Sequence, residues 1–280
     1  MRQIHVNEIV EAVSAACIEM NYVIDKKIEM AFKSAIANET SVLGKTIISD
    51  LLQNAEKANG YMAPLCQDTG MVVAFVKIGQ EIHIEGGGLE WAIQEGIRKG
   101  YDKGYLRKSV VKDPLLRINT NDNTPGIVYY EIVEGAIFEI DIAAKGFGSE
   151  NMSRSKMLKP SDGIKGVIDF VLETVDEAGS NPCPPIVVGV GIGGTLDKAA
   201  QIAKKALLRD LNEPSSESHL AELEHVLLNG INNLGIGPQG LGGNTTALAV
   251  HVEAFPTHIA GLPVVVNINC HASRHHKVVF

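Results

Sequence analysis

The chain has 280 residues, 45% of them hydrophobic and 21% charged, with a formal net charge of -8. That length supports a real core in one large domain or two small ones, and the acidic balance without a long basic run argues against a nucleic-acid partner. No stretch reaches the roughly 18 uninterrupted apolar residues of a membrane span, and M-R-Q-I-H-V-N-E-I-V has neither the apolar core nor the cleavage site of a signal peptide, so the expectation is a soluble, cytoplasmic protein with no membrane contact.

In chain order, Ile9, Val13, Ala16, Cys17, Met20, Ile24 and Ile28 recur at three- and four-residue steps. That spacing predicts one helix over residues 6–36, with Cys17 a small core residue in its stripe. A second helix is predicted over residues 41–57, ending near Asn59-Gly60. M-V-V-A-F-V-K-I at 71–78 reads as a strand, and the next helix carries Leu89, Ile93, Ile97 and Tyr101 on one face. Residues 106–126, with Pro114 and Pro125, read as irregular. I-V-Y-Y-E-I-V and A-I-F-E-I-D-I-A-A, separated by Glu134-Gly135, read as a hairpin. A Gly/Ser loop at 145–153 precedes a helix at 163–178. P-P-I-V-V-G-V then reads as a strand, followed by helices near 195–208 and 217–233 and by two closing strands, T-A-L-A-V-H-V-E and L-P-V-V-V-N-I-N-C. There is no repeat, low-complexity tract or evident linker. The expected fold is mixed α/β (α+β) in a single domain, 1–280: a helical segment, 1–58, packed on a compact sheet-containing part with helices, 60–280.

Four cysteines, at 17, 66, 183 and 270, are too few for a disulfide scaffold in a chain of this length. Cys66 in P-L-C-Q-D-T-G, Cys183 in N-P-C-P-P and Cys270 in N-I-N-C-H-A-S-R each stand at an element boundary among polar or turn-forming residues. Three buried, unrelated thiols would account for each taken singly. Taken together, three thiols at strand ends would converge at one edge of a sheet, where sites in open α/β sheets form. Three thiolates suit zinc or an iron–sulfur cluster. Zinc is the minor option, because C-H-A-S-R-H-H matches no standard Cys/His spacing.

V-V-G-V-G-I-G-G-T contains G-x-G-x-x-G at Gly189, Gly191 and Gly194, between a strand and a helix. A dinucleotide-binding oxidoreductase built on it needs an acidic residue at the end of a second strand, yet Asp210 is followed by a loop, N-E-P-S-S. Glycines before a helix can equally present N–H groups to an anion such as a dicarboxylate. G-I-G-P-Q-G-L-G-G-N-T-T at 235–246 offers the same chemistry, or tight turns alone.

P-L-C-Q-D-T-G, N-P-C-P-P...G-V-G-I-G-G-T, G-I-G-P-Q-G-L-G-G-N-T-T-A-L-A-V and N-x-N-C-H-x-x-R, in that order, resemble the class I, iron–sulfur-dependent fumarase family, which includes L(+)-tartrate dehydratase. The resemblance covers roughly residues 60–280. It implies a [4Fe–4S] cluster with one open iron, held by Cys66, Cys183 and Cys270 at strand ends. It also implies a hydro-lyase acting on a four-carbon dicarboxylate. Gln67 and Asp68 would face the substrate, with Asp68 the candidate base. Arg107, in Y-L-R-K-S, would clamp a carboxylate. The family's Lys-Gly-x-Gly-Ser segment matches Lys145, Gly146, Gly148 and Ser149. His271 and Arg274 are candidates for supporting contacts behind the cluster. The family's single-chain members continue into a second domain, so this chain resembles the α subunit of the two-chain form. The expectation is therefore a fumarate hydratase α subunit, with the L(+)-tartrate dehydratase α subunit as the alternative. A separate β subunit would complete the site, and the αβ pair would assemble further.

Overall fold

The computed structural model describes residues 2–280. Its elements fall into two compact units, one comprising 1–25, 55–147 and 274–280 and the other 26–54 and 148–273.

The first unit begins with β1 (Arg2–His5) and α1 (Val6–Tyr22). His5 caps α1: its Nδ1 accepts from Asn7 N, while Glu8 Oε1 accepts from His5 N, a reciprocal capping box. Then come β2 (Met71–Gly79), β3 (Ile82–Glu85), α4 (Leu89–Lys103), β4 (Ile127–Val133), β5 (Phe138–Lys145) and β10 (His275–Val279). The main sheet has the order β10-β5-β2-β4, and β1 pairs with β3. Ile9, Val13 and Cys17 of α1, Ile93, Ile97 and Tyr101 of α4, and inward residues of β2 and β5 form one core. The two helices approach closely because α4 has glycines where α1 crosses. A Cβ at Gly96 would lie 2.7 Å from that of Val13, and one at Gly100 would lie 2.7 Å from that of Cys17.

The second unit contains α2 (Lys26–Asn38) and the first part of α3 (Val42–Tyr61). It continues with α5 (Phe147–Glu150), of which Phe147 itself falls in the first unit. Next are β6 (Arg154–Leu158), α6 (Gly163–Ala178), β7 (Ile186–Gly193), α7 (Leu196–Ala206), α8 (Ser218–Asn232), β8 (Ala247–Phe255) and β9 (Leu262–Asn269). Its sheet has the order β6-β9-β7-β8. One core joins α6 and α8 to inward residues of β7, β8 and β9, including Val171, Leu227, Val188 and Val266. On β7, Gly189 and Gly191 admit α7: a Cβ at either would fall 2.0–2.1 Å from a carbonyl oxygen of Ala199 or Ala203. These glycines of the G-x-G-x-x-G pattern therefore lie within a strand and serve helix packing. The element after α7 is a helix, not the strand a dinucleotide fold requires.

The mixed α/β expectation is met, and three local expectations are corrected. The helix predicted over 6–36 is two helices, because the backbone turns extended at Val23 (φ -116°, ψ 124°) and Asp25, a residue type favoured before a helix, precedes α2. The apolar repeat runs through the break because α1 and α2 each bury their own stripe, in different units. The second strand pair is not a hairpin. Both strands pair with β2, β4 in parallel and β5 antiparallel. The turn at Gly135 (φ 78°) crosses the end of β2, where Gln80 N and Glu81 N donate to Val133 O and Gly135 O. The strands next to the three cysteines also belong to two sheets rather than one: β2 follows Cys66, β7 follows Cys183, and β9 ends at Asn269, just before Cys270.

Candidate functional site

In the first unit, residues 65–70 cross from α3 to β2 and are held at both ends, Leu65 by a backbone oxygen and Asp68, Thr69 and Gly70 by buried side chains. Asn21, at the end of α1, has its backbone oxygen 2.8 Å from Leu65 N. Its side-chain Nδ2 donates to Cys17 O at 2.9 Å. Its Oδ1 accepts from Arg274 Nη1 at 3.1 Å, and the same Nη1 donates to the backbone oxygen of Asp68. Thr69 Oγ1 accepts from Arg107 N at 2.9 Å and donates to Arg107 O at 3.3 Å. The fully buried Tyr101 hydroxyl stands 2.6 Å from Thr69 O and 3.1 Å from Gly70 O, and burial pushes the phenol's pKa up. Asn123 Nδ2 donates to Gly70 O at 3.2 Å, while its Oδ1 takes the N–H groups of Ser109 and Val110. The loop is thereby tied to α1, α4, the 105–123 segment and the start of β10.

That frame presents chemistry. Cys66 is partly exposed, and its Sγ lies 3.8 Å from Gln67 Oε1. The Asp68 carboxylate is oriented by two backbone donors, Gly70 N at 3.0 Å on Oδ1 and Phe147 N at 2.8 Å on Oδ2. Gly146 is adjacent: a Cβ there would lie 3.2 Å from Arg274 Nη2 and 3.3 Å from Asp68 Oδ2. Gly70 has φ +74°, and a Cβ on it would sit 2.8 Å from backbone carbons of Ala144 and Lys145. Gly70 is thus demanded both by close approach to backbone and by its left-handed conformation, while a side chain on Gly146 would crowd Arg274 and Asp68. The side chain of Lys145 is buried and donates to Gly146 O at 3.3 Å. The Arg107 side chain is exposed beside this loop, and its backbone is anchored to Thr69. Of the expected residues, Cys66, Gln67, Asp68, Arg107 and Gly146 belong to this unit.

Gly148, Ser149, Cys183 and Cys270 belong to the second. Cys183 has a positive φ of 56°, unusual for a residue with a side chain. Its turn is closed by Cys183 N donating to Ser180 O at 3.0 Å. β7 and β9 are antiparallel neighbours with Val187 opposite Asn269, so the residues before β7 and after β9 share one end of the sheet. There His271 N approaches Cys183 O at 3.4 Å and His271 Nδ1 approaches the same oxygen at 3.2 Å. Gln239, from the glycine-rich turn, sends both its backbone N and its Nε2 to Pro184 O, at 2.8 and 2.6 Å. Gly148 borders the same turn, a Cβ there lying 3.8 Å from Asn181 O. The buried Ser149 accepts at its carbonyl from Met152 N at 3.1 Å.

The turn at 235–246 does not keep its N–H groups for a ligand. The buried carboxylate of Glu39 accepts from Thr40 N and Ser41 N at 2.9 Å and from Asn244 N at 3.1 Å. Burial by itself would raise its pKa, but the donors from Ser41, Thr245, Asn244 and Thr40 outweigh this and hold the carboxyl below its ordinary value. Within the turn, Asn244 N is thus spent on an internal anion, and Gln239 N, Gly240 N and Gly242 N on the carbonyls of Pro184, Gly237 and Ile236.

Among the described residues no group of three or more His, Cys, Asp or Glu is assembled as a metal-ligand set, and no helix is long and apolar enough to cross a membrane. Asn21, Tyr101, Asn123, Gln239 and Glu39 were not singled out from sequence as site residues. Tyr101 appeared there only as part of an apolar helix face, and Gln239 only within the glycine-rich stretch 235–246.

The family model described as fumarate hydratase (Fumerase) matches residues 10–279. The chain is 46% identical over 253 residues to the "Putative L(+)-tartrate dehydratase subunit alpha" of Methanocaldococcus jannaschii, covering 88% of each chain. It is 37% identical over 240 residues to the L(+)-tartrate dehydratase subunit alpha of Escherichia coli K12, covering 84% of this chain and 78% of that one.

Proposed function

The chain belongs to the fumarate hydratase (Fumerase) family, and we propose that it is the α subunit of an iron–sulfur hydro-lyase that removes water from a four-carbon hydroxydicarboxylate. The observation that carries this reading is the Cys66–Gly70 loop, where a thiol, an amide and a backbone-oriented carboxylate are presented together.

Cys66, Cys183 and Cys270 would hold a [4Fe–4S] cluster. The thiols fit such a group chemically: no disulfide uses them, and all three reach solvent. Cys17 does not fit, because burial seals it in the core and pushes its thiol up to about 12, far from the thiolate a ligand must be. When bound, a cluster with one open iron supplies a Lewis acid for the departing hydroxyl.

The chain's own groups supply the rest. Asp68, oriented by Gly70 N and Phe147 N, takes the proton from the carbon next to the one losing hydroxide. Gln67 is exposed beside it and donates a hydrogen bond to a substrate carboxylate or hydroxyl. The Arg107 guanidinium grips the other carboxylate in a bidentate fork. Gly146, Gly148 and Ser149 give a substrate close access to backbone and hydroxyl donors. A β subunit would complete the site, a reading supported by the relatives being named alpha subunits. The general prominence of malate and fumarate in metabolism favours fumarate hydratase activity, as does the family description. The relatives' names support L(+)-tartrate equally, so both substrates belong in the assay.

The test is anaerobic reconstitution with iron and sulfide, alone and with the β subunit, followed by iron analysis and by assays on (S)-malate, fumarate and L(+)-tartrate. The expected result is about four irons per chain, lost in Cys66→Ser, Cys183→Ser and Cys270→Ser and kept in Cys17→Ser, with turnover of one of these substrates. Failure to take up iron, or equal loss in Cys17→Ser, overturns the ligand assignment.

A further inference from the structure

We propose that Arg274 is a positioning residue, which fixes the Asp68 carboxylate by gripping that residue's own backbone carbonyl. Arg274 is buried, at 4% exposure. A buried guanidinium is costly, and this one is not fully compensated, since its Nε has no hydrogen-bond partner. Its Nη1 serves two acceptors, Asn21 Oδ1 and the oxygen of Asp68. Its Nη2 lies against Gly146, 3.2 Å from where a Cβ there would be. Asn21 holds Leu65 N at the other end of the same stretch. The buried Asn21 and Arg274 thus bracket Leu65–Asp68, with Cys66 and Gln67 between the two points of attachment.

The planar guanidinium explains the residue type, because the two N–H groups of Nη1 point in fixed directions, one toward each acceptor. A lysine ammonium reaches less far and rotates freely, so it does not fix both acceptors in one geometry. With the carbonyl of Asp68 fixed by Arg274 and its carboxylate fixed by Gly70 N and Phe147 N, the side chain has one direction. A misplacement of about 1 Å at such a group can cost about 100-fold in rate. This catalytic consequence rests on the hydro-lyase reading, whereas the bracket itself does not.

The experiment separates the two. In the full-length chain carrying Cys183→Ser and Cys270→Ser, in metal-free buffer, Cys66 is the accessible thiol and Cys17 is sealed. Arg274→Lys is expected to speed reaction of Cys66 with an aromatic disulfide at least about fivefold, as a local opening of the loop would, while the melting temperature changes little. Gly146→Ala, which crowds the guanidinium from the opposite side, is expected to do the same, and it decides the matter if Arg274→Lys does not fold. In the reconstituted complex, Arg274→Lys is expected to lower kcat about 100-fold with KM within about threefold and iron content unchanged. Combined with Asp68→Asn, it is expected to slow the enzyme no further than Asp68→Asn alone. Unchanged Cys66 reactivity in the folded variants overturns the bracket. Additive losses in the double variant overturn action through Asp68. If the wild-type complex turns over no substrate, the hydro-lyase reading fails while the thiol kinetics still decide the bracket.

Discussion

Two glycine-bearing segments stand beside thiols, residues 65–70 in the first unit and 235–246 in the second, and they use their polar groups in opposite ways. In the first, the carbonyls of Asp68, Thr69 and Gly70 are tied back to Arg274, Tyr101 and Asn123, while the side chains of Cys66 and Gln67 stay open to solvent. In the second, the backbone donor of Asn244 is spent on the internal carboxylate of Glu39, and Gln239 is spent on Pro184. Similar local composition therefore yields one segment that presents chemistry and one that serves as framework. What differs is the partner each acquires from distant sequence, which is where substitutions should separate them.

The largest effect is expected from Gly70→Ala. A left-handed φ of +74° and overlap with the backbone at Ala144 and Lys145 together predict a loss of at least about 3 kcal/mol, read by denaturant unfolding. Tyr101→Phe should cost about 1–3 kcal/mol, because it strips a buried donor from two loop carbonyls while keeping the ring's packing. A cost near zero would mean that the hydroxyl does not hold the loop.

Glu39→Gln tests the second segment through pH. The carboxyl is held below its ordinary value of 4.5, so its contribution is complete above that pH and is lost as pH falls through the lower, folded-state value. Wild-type melting temperature should therefore drop more steeply below about pH 4.5 than that of Glu39→Gln, which should be less stable at pH 7 by about 1–2 kcal/mol. Parallel acid profiles would remove Glu39 as the anchor of the turn. The smallest change is expected from Cys17→Ala, about 1 kcal/mol, with no loss of iron. Cys17 in the wild type should resist thiol reagents near neutral pH, since its thiol is pushed up to about 12.

Much of the fold was legible along the chain. The apolar stripe from Ile9 to Met20, the strands at 71, 186, 247 and 262 and the helix at 163 follow from periodicity, because each element must bury one face or both. The distinction between Cys17 and the other three thiols was legible as well, from apolar against polar neighbours. Strand partners were not. I-V-Y-Y-E-I-V and the strand after it look like a hairpin because the turn between them is short, yet β2 lies between them. Nor was the break at Val23 legible, since buried apolar residues continue past it, from Ile9–Met20 in one unit to Ile28 and Phe32 in the other.

By itself, then, the sequence determined the family and the type of most of the longer elements, which depend on ordered motifs and on local pattern, while the short strands β1, β3, β6 and β10 left no such pattern. Only the tertiary structure decided that Arg274 and Asn21 bracket the Cys66 segment, that Tyr101 holds its carbonyls, and that Glu39 anchors the end of the glycine turn at Asn244. A buried polar group must find a partner wherever the fold brings one, and for Arg274 and Glu39 that partner lies about two hundred residues away.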